Sequence, residues 1–212
     1  MQYLMSEIKA VLFDMDGVLI NAQEWHYEAL NEVLQIFGFE ITREMHEDRY
    51  DGLSTAKKLQ MLTNEVGLPE HIHGMINRIK QERTLRIAAQ KCFPKVAHLV
   101  LVSKLKANNI KVGVVTNSIR QTTEFMLTYA GLRDFLDVLI TNQDVREPKP
   151  NPECYLLAME KLGVLPAETV IVEDSPYGIQ AAKASGAKVI TVASVDEVTL
   201  DILHGVVPEI LS

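Results

Sequence analysis

Asp14 and Asp16 stand one residue apart at the end of a short apolar run, AVLF, and Gly17 follows at once. In an extended chain, side chains two residues apart share a face. Two carboxylates placed this way repel unless a cation or a shared proton offsets them. Gly17 lets the backbone turn away sharply, leaving oxygens around an opening. The octet therefore describes either a hard-cation site with a free nucleophilic oxygen or a strand that ends in a solvated acidic turn. A second apolar run ends in Glu173-Asp174, and Ser175-Pro176 then starts a helix. Helix N-cap chemistry explains Asp174 or Ser175, but not two consecutive acids at the end of a core strand. Asp14, Asp16, Glu173 and Asp174 together make a Mg²⁺ site.

Two further segments carry polar groups at strand ends. Thr116-Asn117-Ser118 offers hydroxyls and an amide where the chain turns into a helix, suited to phosphate oxygens. The same residues are also ordinary N-caps. In Glu147-Pro148-Lys149-Pro150-Asn151-Pro152, prolines hold Lys149 on a stiff loop that could set its ammonium against a carboxylate pair or a phosphate. A plain loop leading into a helix fits that segment equally well.

The elements that must position these groups alternate. Short β-branched runs at 8–13, 111–116, 137–140, 169–173 and 187–192 are separated by helical stretches around 95–107, 119–130, 152–162 and 175–185. This pattern predicts an α/β fold, a Rossmann-like parallel sheet with helices on both faces. Ligands of such sheets sit beyond the carboxyl ends of the strands, where the polar residues above cluster. Residues 20–90 break the alternation, with helical patterns near 23–37, 55–66 and 69–90. The first sets Trp25, Ala29, Leu30, Val33, Ile36 and Phe37 on one face. This segment reads as an inserted all-helical cap over a core of residues 1–19 and 91–212. The polar stretch 48–55, with Gly52, reads as a loop between cap helices.

The 212-residue chain is long enough for one domain with a modest insertion, and its net charge of −7 argues against nucleic-acid binding. No apolar stretch approaches the ~20 residues of a membrane span. The first residues lack a signal-peptide pattern, and Cys92 and Cys154 read as reduced thiols. A cytoplasmic protein, monomeric or weakly dimeric, is expected.

Asp-x-Asp-Gly, Thr-Asn, Lys-Pro and Glu-Asp, in this order and each at a strand end or the next loop, resemble the haloacid dehalogenase superfamily. The helical insertion is similar to the small cap of its β-phosphoglucomutase-like branch. The resemblance implies Mg²⁺-dependent hydrolysis of a small phosphorylated metabolite through an aspartyl-phosphate. It implies Asp14 as nucleophile and Asp16 as general acid and base. Mg²⁺ would be held by Asp14, the Asp16 carbonyl, Asp174 and Glu173, and the phosphoryl oxygens by Thr116, Asn117 and Lys149. The dehalogenases lack an acid at the position of Asp16, so the resemblance favours phosphoryl transfer. Asn21-Ala22 departs from the family's Asp-Ser or Asp-Thr. In the cap, His26, Arg49, Thr55, Lys58 and Lys80 are candidates for substrate selection, with Gly52 in the cap loop. His26 as an exposed helical histidine and Lys80 as a solvated lysine remain open. The branch's sugar phosphomutases resemble Gly-x-Ser-Arg in this loop, where the chain reads Gly52-Leu53-Ser54-Thr55. Hydrolysis is therefore favoured over a mutase, with Lys57 or Lys58 left as substitutes for the arginine that grips the second phosphate, and both over a catalytically idle binding module.

Overall fold

The computed structural model describes residues 7–51 and 53–207, so Gly52 lies outside the described residues. The strands are β1 (Ala10–Phe13), β2 (Lys111–Val115), β3 (Val138–Ile140), β4 (Thr169–Glu173) and β5 (Lys188–Thr191). They form one all-parallel sheet in the order β3-β2-β1-β4-β5. Alternation along the strands separates two apolar layers. Val11 and Phe13 face one side with α5 (Val96–Ala107) and α6 (Arg120–Tyr129). Ala10 and Leu12 face the other with α7 (Glu153–Leu162) and α8 (Pro176–Ala184). Each fully buried aliphatic side chain in these layers contributes roughly 1.5–3 kcal/mol. β5 departs from the expected buried strand: Lys188 and Thr191 are exposed because it is a sheet edge with a neighbour only at β4.

Between β1 and α5 lies the helical cap region, made of α1 (Gln23–Ile36), α2 (Arg43–Met45), α3 (Thr55–Val66) and α4 (His73–Lys91). It has its own apolar cluster, in which Leu30, Val33 and Leu34 meet Leu59, Leu62 and Ile76. The base of this region belongs to the sheet's cluster instead, through Ala22, Trp25, Ala88 and Cys92. On α1 the inward row is Trp25, Ala29, Leu30, Val33 and Leu34, whereas Ile36, expected inside, is 64% exposed. Asn31 fills the gap left in that row. Its side chain exchanges two 2.8 Å hydrogen bonds with the backbone of Ile41 and pins the returning chain.

The expected loop at 48–55 is shorter than predicted. A π-helical turn, His46–Tyr50, prolongs α2, because Tyr50 is drawn into the cap cluster and its hydroxyl donates to Glu65 at 2.9 Å. That turn carries Arg49 outward to pair with Glu65 at 3.1 Å. Arg49 is therefore a surface residue and does not line the cavity described next.

Candidate active site

β1, β2 and β4 are adjacent, so the residues that end them converge at one edge of the sheet, on either side of its central strand. A cavity of about 120 Å³ opens there, with Asp14, Asp16, Thr116 and Lys149 below and helices α1, α3 and α4 above. Asp14 continues the β1 pairing, its N–H donating to the Val172 carbonyl at 3.0 Å. The chain then folds back within the next few residues, Leu19 and Ile20 both donating to the Met15 carbonyl. Gly17 permits this with φ +93°, and a side chain there would land 2.0 Å from Asp174 Oδ2.

The floor of the cavity is a saturated ionic network. Lys149 Nζ donates to Asp14 Oδ1 at 2.5 Å, to Glu173 Oε1 at 2.6 Å and to the Val115 carbonyl at 2.8 Å. Glu173 is fully buried and fully occupied. Its Oε1 also accepts from the Tyr155 hydroxyl at 2.6 Å, and its Oε2 accepts from the N–H groups of Asp174 and Ser175. Gly178, in the first turn of α8, leaves the space for that carboxylate, since a Cβ would sit 1.9 Å from Oε1. Burial pushes the Asp14 carboxyl well above its usual range. Lys149 opposes that shift, and Glu173, Asp174 and Asp16 add to it. Lys149 itself is held well above the ordinary lysine range: burial works against the charge, but Asp14 and Glu173 outweigh it.

The residues fit a divalent cation. Oxygens of Asp14, Glu173 and Asp174 lie within 4.8 Å of one another. Asp174 Oδ2 accepts from Gln23 Nε2 at 2.7 Å, but its Oδ1 is buried without a hydrogen-bond partner. Burial first, then Glu173, Asp51 and Asp16, push Asp174 up to about 7. A buried oxygen with no donor, in a site with more negative charge than Lys149 offsets, is the environment a hard cation satisfies.

Asp16 belongs to a different set of partners. Ser118 Oγ donates to its Oδ2 at 2.7 Å, and His26 Nε2 lies 3.1 Å from Oδ1. On its other side His26 Nδ1 is 2.9 Å from Lys80 Nζ. An ammonium only donates, so Nδ1 accepts and Nε2 carries the hydrogen toward Asp16. Burial raises the Asp16 carboxyl, but His26, Ser118 and Lys80 outweigh it and leave the group below its ordinary value. Burial, with Lys58 beside it, pushes Lys80 down to about 7, and burial together with Lys80 lowers His26.

The structure brings Asp14, Asp16, Thr116, Asn117, Lys149, His26, Thr55, Lys58 and Lys80 to one cavity. His26 and Lys80 are thus neither exposed nor solvated. Asn117 has its side chain turned to the Lys149 backbone, accepting from its N–H at 3.0 Å and donating to its carbonyl at 3.3 Å. It clamps the lysine loop. Thr116-Asn117-Ser118 are not the cap of α6, which begins at Arg120 behind Ile119. Ser118, expected to serve phosphate oxygens or a cap, is set on Asp16 instead, and two partners escaped the sequence reading, Gln23 on Asp174 and Tyr155 on Glu173. Only Tyr155 left a trace, as the one aromatic in the first turn of the helix that follows the lysine loop.

Residues 11–192 match the model of the haloacid dehalogenase-like hydrolase family. The chain is 28% identical over 179 residues to a phosphorylated carbohydrates phosphatase of Thermotoga maritima, covering 84% of this chain and 82% of that one. It is 31% identical over 185 residues to the validoxylamine A 7'-phosphate phosphatase of Streptomyces hygroscopicus, covering 84% and 82%. Among solved structures, CbbY from Rhodobacter sphaeroides in complex with xylulose-(1,5)bisphosphate superposes with a TM-score of 0.80 at 27% identity, over 87% and 85% of the two chains. β-Phosphoglucomutase from Clostridium difficile shares the fold, with a TM-score of 0.82 at 21% identity over 96% and 99%. Strand-end acids, a buried lysine between them and a helical cap over both place the chain in a single lineage: it belongs to the haloacid dehalogenase-like hydrolases, as a phosphatase of the β-phosphoglucomutase-like branch.

Proposed function

We propose that this enzyme hydrolyses a small phosphate monoester, a sugar phosphate or similar metabolite, through an aspartyl-phosphate on Asp14. In this reading residues 1–19 and 91–212 form the phosphoryl-transfer core and residues 20–90 the cap. The single observation that carries it is the Lys149 ammonium, clamped between Asp14 and Glu173 at the edge of a cavity that Asp16 shares. Asp14 attacks phosphorus, and the bond to the leaving oxygen breaks as Asp16 gives that oxygen a proton. Water, deprotonated by Asp16, then attacks the acyl phosphate and releases inorganic phosphate, restoring both carboxyls. Asp16 rests below its ordinary pKa, and the phosphate dianion arriving beside it supplies the like charge that makes it hold a proton. Lys149 and Thr116 spread charge over the non-bridging oxygens.

Mg²⁺, held by Asp14 and Asp174 with the Asp16 carbonyl, would offset the repulsion between carboxylate and phosphate dianion. Glu173, its oxygens taken by four donors, serves this site by holding Lys149 and the backbone of Asp174 in place. Relatives named for phosphorylated carbohydrates and for fructose 1-phosphate support the substrate class. Thr55, which lines the cavity without a charge, favours hydrolysis over a phosphomutase that must grip a second phosphate from that position.

The test is phosphate release from a panel of sugar phosphates and short phosphorylated acids, with and without Mg²⁺, beside Asp14→Asn. Mg²⁺-dependent release that disappears in the variant is expected. Isomerisation of a hexose 1-phosphate without net release would reassign the enzyme as a mutase. No turnover with any divalent ion would make it a binding module.

A further inference from the structure

Beside the floor, part of the cavity wall is made by the segments that leave β2 and β3, and these two segments are tied together. The Asn142 N–H donates to the Ser118 carbonyl at 3.3 Å, and the Arg120 N–H donates to Gln143 Oε1 at 2.9 Å. The Arg120 guanidinium turns to Asp144, donating to its two oxygens at 2.8 and 2.6 Å, and Asp144 also accepts from the Thr141 N–H and hydroxyl. Two neutral side chains of this wall stay unmatched. Thr122, in the first turn of α6, is 3% exposed and lines the cavity, yet its hydroxyl has no hydrogen-bond partner among the described residues. Its neighbour Thr123 shows the usual alternative, donating back to the Ile119 carbonyl at 2.9 Å. Asn142 lines the same cavity, its amide bonds to no described residue, and its Oδ1 is buried without a donor. Buried polar groups are normally paired, so a hydroxyl and an amide oxygen left over on one cavity wall call for a ligand that matches them. Their chemistry narrows that ligand. An amide oxygen only accepts, so it repels a carboxylate or phosphate and takes nothing from a carbonyl. Arg120, the cation that could have drawn an anion to this wall, is spent on Asp144. An alcohol O–H satisfies both groups, because threonine can give or take a hydrogen bond.

We propose that Thr122 and Asn142 form a hydroxyl-binding subsite, so that the preferred substrate is a polyol phosphate whose free alcohol donates to Asn142 Oδ1 and pairs with the Thr122 hydroxyl while its phosphate meets Asp14. The proposal deepens the phosphatase reading and rests on it for which end of the substrate meets the floor. At about 120 Å³ the cavity is smaller than the roughly 300–1,000 Å³ of most ligand clefts, which favours a polyol of few carbons.

Equilibrium binding to the Asp14→Asn protein with Mg²⁺, read by calorimetry, tests this independently of turnover. Two matched pairs differ only in hydroxyls: glycerol 3-phosphate against n-propyl phosphate, and sorbitol 6-phosphate against n-hexyl phosphate. The polyol of at least one pair is expected to bind about tenfold or more tightly than its alkyl partner. Adding Thr122→Val and Asn142→Leu together is expected to cut that preference by about tenfold, through weaker binding of the polyol, while the alkyl phosphate binds as before or better. Thr122→Ser, which keeps the hydroxyl, is expected to keep most of it. The thermal midpoint of the Thr122→Val, Asn142→Leu protein should not fall, since neither side chain gives up a hydrogen bond within the chain. No polyol preference in either pair, a preference that survives the double substitution, or a lost preference accompanied by a clear drop in midpoint each overturn the proposal. A polyol preference without phosphate release from the wild-type enzyme would remove the hydrolase reading and keep the subsite. Release without the preference would do the reverse.

Discussion

The floor and the roof of the cavity are both buried and both charged, but they are built in opposite ways. On the floor, Lys149 and Glu173 have every charged atom matched to a donor or acceptor in the chain. The exceptions there are acids, with one oxygen of Asp174 unpartnered and Asp14 raised well above its range. In the roof the strained groups are bases: Lys80 is pushed down to about 7 and Lys58 to about 8, both mainly by burial. One wall is short of a cation and the other of an anion. A metal ion and an anionic substrate are what such a cavity lacks, and the two walls ask for them separately. Reaction chemistry is therefore assigned to the dense network below, and selectivity to the sparse one above.

The largest effect that could break this division is at Asp14. Asp14→Asn should lower phosphate release by about 10³-fold or more. Activity within tenfold of wild type, in a steady-state phosphate assay, would remove the floor from the chemistry. Lys149→Met comes next, with kcat down by about 10²–10³. It leaves two carboxylates facing each other without their cation, so denaturation should also show a loss of about 3–5 kcal/mol. A Lys149→Met protein as stable as the parent would mean the floor is less tightly bound together than its distances suggest.

Asp174→Asn and Glu173→Gln separate a ligand from a bracket within the floor. The first is expected to raise the Mg²⁺ concentration for half-maximal activity by about tenfold, close to 1.4 kcal/mol, and the second mainly to lower kcat. The reverse ranking in Mg²⁺ titrations would exchange their roles. The smallest effect is on stability against pH. Folded Lys80 and Lys58 bind protons less tightly than in the unfolded chain, where their pKa is near 10.5. The unfolded state therefore holds more protons between about 7 and 10, and stability should rise with pH across that window by at most about 1.4 kcal/mol per unit for each group. Asp174 behaves oppositely. Its folded pKa, raised from 3.8 to about 7, lends stability at low pH that is lost as pH climbs to neutrality. The stabilisation produced by added Mg²⁺ should accordingly grow from pH 5 to pH 8. Urea midpoints at a series of pH values, with and without Mg²⁺ and in Lys80→Met, check both slopes.

The floor was legible in the sequence because strand ends are. Once 8–13, 111–116 and 169–173 read as parallel strands, the residues at their carboxyl ends, Asp14, Thr116 and Glu173, had to lie along one edge of the sheet; that the three strands are adjacent is what the structure added. The roof was less legible. His26 and Lys80 are separated by 54 positions and meet only because α1 lies along α4. Arg49 was misplaced because one buried ring, Tyr50, extends a helical turn and rotates its neighbour outward. Ser118, Gln23 and Tyr155 act through single hydrogen bonds, and no periodicity reports where a side chain's last rotatable bond points. Glu173, read from the sequence as a metal ligand, stands with Asp14 and Asp174 in the acidic cluster, and the structure adds what the sequence did not show, that its oxygens also accept from Lys149, Tyr155 and the backbone.

The tight turn from Asp14 to Ile20 is also the stretch by which the chain leaves the sheet for the helices above it. Asp16 sits inside it, and its partners come from opposite banks: Ser118 and Thr116 follow β2, while His26 travels with α1. The carboxylate proposed to carry the proton is therefore a seam. Any tilt of α1 against the sheet stretches the His26 contact while leaving that of Ser118 alone, and Asp16 loses the first of the three groups that favour its charged form. The basicity of a single carboxylate in this way registers the angle between two bodies, as a strain gauge glued across a joint would.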